Sequence, residues 1–172
     1  MLRKLTMAVM VLFCFLLQTT VFRSLSFAGI VPNLLIILTS SCGFMRGEYE
    51  GLIIGFFSGL LCDIFFGDIL GFYALVYMYV GFLNGKFCRI FYPEDIKLPI
   101  ALITVSDLSY GIICYILLFL LRGRLDILFY LKAVILPETV YTVVVTCLLY
   151  PLILFINTRL ESFERKRARK FV

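Results

Sequence analysis

Three carboxylates stand inside stretches that are otherwise apolar: Asp63 in Leu60-Leu61-Cys62-Asp63-Ile64, Asp107 between Ser106 and Leu108, and Glu138 after Pro137. A carboxylate at the centre of a membrane span costs roughly 2.5–3.5 kcal/mol on insertion scales, so such groups face a bundle interior or a hydrated cavity. The chemistry open to them is the binding or relay of a proton or cation. Against a continuous path stands the pattern of one carboxylate per predicted helix, with no polar face joining them. Asp68, just beyond Phe66-Gly67, also places Asp63 close to a membrane interface where it can hydrate.

Other reactions are excluded by what is missing. The chain has no histidine, which removes the commonest general base and the commonest metal ligand together. Ser106, Asp107 and Ser109 therefore cannot complete a hydrolase triad, no lysine sits mid-span, and no Gly-rich phosphate loop is present. The six cysteines, Cys14, Cys42, Cys62, Cys88, Cys114 and Cys147, are scattered singly with no CxxC pair. They read as small apolar residues and predict neither a disulfide framework nor a metal site. No catalytic activity and no cofactor is expected.

The most unusual spacing is Gly51, Gly55, Gly59, Asp63, Gly67 and Gly71, each four residues from the last. Four-residue spacing keeps side chains near one helix face. In lipid no hydrophobic effect drives helices together, and small residues that let backbones approach are the main packing device. The first three glycines thus form a groove with Asp63 at its end, and Gly81 and Gly85 repeat the spacing. The groove serves either packing within the bundle or docking of a partner's helix. Gln18 beside Thr19 and Thr20, and Asn33 after Pro32, are the remaining polar candidates within spans. Pro32-Asn33 opens a helix with proline in its first turn. Glu138 lies about a turn from the start of a predicted span, where a carboxylate favours the helix N-terminus.

These groups must be positioned by membrane helices. Of 172 residues, 62% are hydrophobic and 16% charged, with a mean hydropathy of +1.04; soluble domains carry nearer ~25% charged residues. Stretches long enough to span occur at 5–22, 30–45, 51–66, 69–85, 98–121 and 133–157, predicting an all-α bundle of six transmembrane helices in a single domain. The first run is longer than a signal-peptide core and is read as a retained helix.

Six spans put both termini on one side. Arg23, Arg122, Arg124 and Lys132 fall on the other, and the remaining twelve of the sixteen Lys and Arg residues fall with the termini. The positive-inside rule then makes both termini cytoplasmic. Residues 158–172 form a basic tail, net +4 from Arg159 onward, suited to anchoring on anionic lipid or docking a cytoplasmic partner. Residues 122–132 interleave charged and apolar side chains and are expected to lie in the interface.

With these residues laid out, the chain resembles a known family. Leu17-Gln18-Thr19-Thr20, Pro32-Asn33-Leu34-Leu35-Ile36, Gly47, Gly51, and Gly55 through Asp63 followed by Gly71 and Ala74-Leu75 resemble the rod shape-determining protein MreD. Pro137 through Thr142 and Tyr150-Pro151 are similar more loosely, and an asparagine often found near Thr142 is missing here. The resemblance implies a non-catalytic component of the bacterial inner-membrane elongation machinery, coupling cytoskeletal filaments to peptidoglycan synthesis through the bitopic protein MreC. Other elongation proteins and membrane lipid are the further partners it implies, with no nucleic acid. It also implies a fold similar to the substrate-binding subunits of energy-coupling-factor transporters. A vitamin-binding subunit of that fold, with Asn33, Asp107, Glu138 and tyrosines forming the pocket, is the alternative function, and a lipid or ion transporter is the third.

Overall fold

The computed structural model describes residues 2–26, 29–67, 69–88, 96–119 and 126–168. Helix α1 (Leu2–Thr19) continues as the single turn α2 (Val21–Ser24). Then follow α3 (Leu34–Arg46), α4 (Glu48–Phe66), α5 (Phe72–Phe87) and α6 (Lys97–Cys114), the last widening into a π-helical turn at Tyr115–Phe119. Helix α7 (Ile127–Tyr130) passes through a second π-helical turn, Leu131–Ile135, into α8 (Leu136–Ala168). The result is six helical segments among the described residues.

Four of them, Lys4–Ser24, Glu48–Phe66, Lys97–Leu118 and Ile127–Glu164, are long and apolar enough to cross a membrane. The outward side chains of these segments are apolar at helical spacing: Leu5, Val9, Leu12 and Leu16 on α1, Ile53, Phe57 and Ile64 on α4, and Val140, Val144 and Leu148 on α8 are all exposed. A contiguous belt of that kind is stable only against lipid. The fold is that of an all-helical membrane protein.

Of the two shorter segments, α3 and α5, it is α3 that explains the arrangement. Its 13 residues reach only ~20 Å, less than the ~30 Å hydrocarbon core. It is enclosed by α1, α4, α5, α6 and α8, and every residue from Leu34 to Met45 is buried. A helix that meets no lipid has no bilayer thickness to match.

The structure moves several boundaries. The fourth segment begins at Phe72 rather than 69, because Gly71 adopts φ +98°, a left-handed conformation that favours glycine and breaks the helix. Pro32 precedes the N-cap Asn33 and lies outside the first turn of α3. The last segment starts at Ile127 instead of 133, so 127–132 belongs to that helix rather than to a separate interfacial stretch. Glu138 is consequently about three turns in, and the wide turn before it closes with the Leu136 amide donating to the Leu131 carbonyl. No free helix start remains for Glu138 to cap. The basic tail continues α8 as far as Ala168. Asp68, Arg122, Arg124, the end of the 98–121 span and 169–172 lie outside the described residues.

Candidate functional site

The glycine face of α4 is filled by α5. A Cβ placed on Gly51 would run into the Gly81 carbonyl, one on Gly55 into the Tyr77 carbonyl, and one on Gly59 into the backbone of Tyr73 and Ala74. From the other side, Gly81 meets the Gly51 carbonyl and Gly85 meets Glu48. Helix α3 joins the seam through Gly43, whose added Cβ would lie 2.6 Å from the Gly81 oxygen. The two backbones touch along most of their length, the close approach that small residues permit in lipid. A partner helix would have to displace α5 to enter this groove.

Asp63 closes the end of the seam. It is 2% exposed, and its two carboxylate oxygens accept hydrogen bonds from the Tyr73 and Ala74 amides, each at 2.8 Å. These are among the first-turn N–H groups of α5 that have no partner within their own helix. Gly71, the N-cap residue, has no side chain to satisfy them. Asp63 supplies from α4 the cap that α5 lacks, and the N-terminal helix dipole favours the negative charge.

A second set of caps fixes α3. The Asn33 side-chain oxygen accepts from the Ile36 amide at 3.2 Å and from the Tyr77 hydroxyl at 2.7 Å, while its own amide donates to Thr142 Oγ1 at 3.1 Å. Gln18 reaches over from α1 to accept from the Leu35 amide at 3.3 Å. Asn33, Gln18, Tyr77 and Thr142 thereby tie α1, α3, α5 and α8 together at the end of the bundle where α3 and α5 begin.

Among the buried polar groups that sequence did not single out, two join several helices. Asn84, 3% exposed, donates to the Val80 carbonyl at 2.8 Å and to Ser106 Oγ at 2.7 Å, with Ser40 Oγ at 3.4 Å, bridging α3, α5 and α6. Placed before Gly85-Lys86, it reads as an ordinary helix-end asparagine. At the opposite end of the bundle Arg46, whose side chain is 3% exposed, pairs with Glu50 at 3.3 Å and donates to Asn157 Oδ1 at 2.5 Å. Asn157 in turn donates to Glu161. A charge counted as positive-inside decoration is the hub joining α3, α4 and α8.

Asp107 and Glu138 differ from all of these. Asp107 is buried to 3% exposure, yet neither of its oxygens has a hydrogen-bond partner. The hydroxyls of Thr139 and Thr142 act on it from α8; Thr139 donates to the Ile135 carbonyl at 2.9 Å, whereas Thr142 accepts from the Asn33 amide and keeps its own proton for the carboxylate. Glu138, on the α8 helix against which α6 packs, lies within electrostatic reach of Asp107. The structure therefore parts the three carboxylates: Asp63 sits at the α4–α5 seam, while Asp107 and Glu138 share the α6–α8 interface. Among the described residues no group of three or more Cys, Asp or Glu side chains gathers as a metal cage.

An apolar exterior around an enclosed helix, with polar groups paired from helix to helix inside, defines a multi-helix membrane protein whose interior is built for internal fastening. The sequence profile of the rod shape-determining protein MreD matches residues 1–158, and the chain belongs to that family. Its role is accordingly in determining rod shape. No curated protein and no solved structure matches the chain.

Proposed function

We propose that this chain is a non-catalytic scaffold of the cell-elongation machinery, a multi-pass protein of the bacterial inner membrane with both termini cytoplasmic. It holds an MreC-like bitopic protein, and through it couples cytoskeletal filaments to peptidoglycan synthesis. The reading rests on the family match together with one observation: among the described residues six of the twelve buried polar residues, Asn33, Ser40, Asp63, Asn84, Thr142 and Asn157, bond from one helix to another. Such an interior favours a rigid body that presents its surface over a site that turns over substrate. The twelve-to-four distribution of basic residues supports the orientation.

The direct test is to solubilise membranes of a rod-shaped host carrying a tagged copy as its sole source of this protein. The MreC-like protein should co-purify, and cells depleted of the tagged copy should round. Its absence from the eluate while cells stay rod-shaped would contradict the coupling.

A second reading is a small-molecule binding subunit akin to those of energy-coupling-factor transporters. It is favoured by the convergence of Asn33, Tyr77, Tyr110, Asp107 and Glu138: the Tyr77 and Tyr110 rings lie 5.3 Å apart, and Tyr77 bonds Asn33. Retention of a vitamin by the purified protein would support it; an empty protein from vitamin-replete cells would count against it.

A further inference from the structure

We propose that the buried Asp107 and the half-buried Glu138, with the hydroxyls of Thr139 and Thr142, form a site for one small monovalent cation, either an alkali ion or a proton.

The first support is an unmet requirement. A buried carboxylate is normally paired, hydrogen-bonded or neutralised, since leaving a charge in a low-dielectric interior is far more costly than leaving a neutral polar group there. Asp107 has no hydrogen bond to either oxygen. The group within electrostatic reach of it on the adjacent helix, Glu138, carries the same sign of charge. Two such neighbouring carboxylates cannot both ionise without something positive between them.

Among the described residues the surroundings supply no such charge. Around Asp107 are Tyr77 from α5 and the two threonines from α8, and around Glu138 are Cys114 from α6 and Tyr130 from α7. None of these is basic. Arg46, the buried cation among the described residues, is at the other end and already paired with Glu50. Among the described residues nothing supplies the positive charge, which the proposed site takes from outside the chain. Two carboxylates and two hydroxyls present hard oxygen donors, the set that suits an alkali cation or a shared proton, whereas thiolates and imidazoles select transition metals.

The backbone around the pair differs from the rest of the bundle. Both carboxylate-bearing segments contain a π-helical turn, Tyr115–Phe119 after Asp107 and Leu131–Ile135 directly before Glu138. Such turns are rare and are found disproportionately at functional sites, where they redirect side chains. Gly111 lets the two segments approach, with Ile135 within 3.1 Å of where its Cβ would be.

The test is thermal unfolding of the purified full-length protein in detergent, in NaCl, KCl or choline chloride at constant ionic strength, and in choline chloride from about pH 5 to about pH 9. An alkali-ion site raises the wild-type midpoint in sodium or potassium relative to choline, by roughly 3–6 °C at tenfold excess over the dissociation constant. A proton site leaves the three salts equivalent and moves the midpoint with pH. In either case the dependence is lost in both Asp107→Asn and Glu138→Gln, variants whose near-isosteric amides keep the helices in place. The proposal is overturned if the wild-type midpoint responds to neither salt identity nor pH, or if the response persists unchanged in the two variants.

Discussion

The α4–α5 hairpin and the α6–α8 pair each carry a buried aspartate, and they use it in opposite ways. In the hairpin, glycines bring two backbones into contact and Asp63 satisfies two amides that would otherwise be orphaned. Between α6 and α8 the contact is made by side chains, the helices carry π turns, and Asp107 satisfies nothing. Insertion cost makes every intramembrane carboxylate look functional from sequence. The difference between these two teaches that the cost is justified in one case by architecture and in the other only by a ligand.

The comparison is sharpest where backbone meets backbone. Gly55→Leu drives a side chain into the Tyr77 carbonyl and its peptide, which cannot step aside as a flexible side chain would. Overpacking of an ordinary core costs typically 1–3 kcal/mol, and at this seam the expected outcome is loss of the monodisperse protein on size-exclusion chromatography. Survival of a well-folded Gly55→Leu bundle would mean that the α4–α5 seam is not what holds this half together.

Next in size is Asp63→Ala, which leaves the Tyr73 and Ala74 amides buried without acceptors. At about 1–3 kcal/mol for each unsatisfied group, less what water recovers, the expected destabilisation is about 2–4 kcal/mol in reversible unfolding. Faster hydrogen exchange should be confined to the first turn of α5. Asn84→Ala, which removes the link from α5 to Ser106 on α6 and the bond back to the Val80 carbonyl of its own helix, is expected to cost about 1–2 kcal/mol. Smallest, and opposite in tendency, is Asp107→Leu: replacing an unpartnered buried carboxylate by an apolar group of similar size is expected to leave stability within about 1 kcal/mol of wild type or to raise it. A large loss there would show that Asp107 has a structural partner.

The two halves were also unequally legible in the sequence. The glycine spacing and the apolar runs carry α1, α4 and their lipid-facing surfaces plainly, because helix periodicity and span length are local properties. Asp63 stood out for its position, but its partners are main-chain amides of Tyr73 and Ala74, which no side-chain pattern reveals. The burial of α3 was invisible, since an apolar run of 13 residues reads the same whether lipid or protein surrounds it. Arg46 and Asn84 were missed for the same reason: each sits near a helix end where polar residues are ordinary, and only tertiary packing makes them interior. The π turns have no residue signature, so the last segment began six residues earlier than its hydropathy implied, and Glu138 lost its expected place at a helix start.

The most direct measurement compares Asp63→Asn with Asp107→Asn in equilibrium unfolding of the purified protein in one detergent, in choline chloride. The same chemical change is made twice, in the two halves. A loss of about 1–2 kcal/mol is expected for Asp63→Asn, where one charge-assisted acceptor is removed, and no loss for Asp107→Asn. Equal destabilisation by the two substitutions would contradict the division between a carboxylate spent on packing and one held for a ligand.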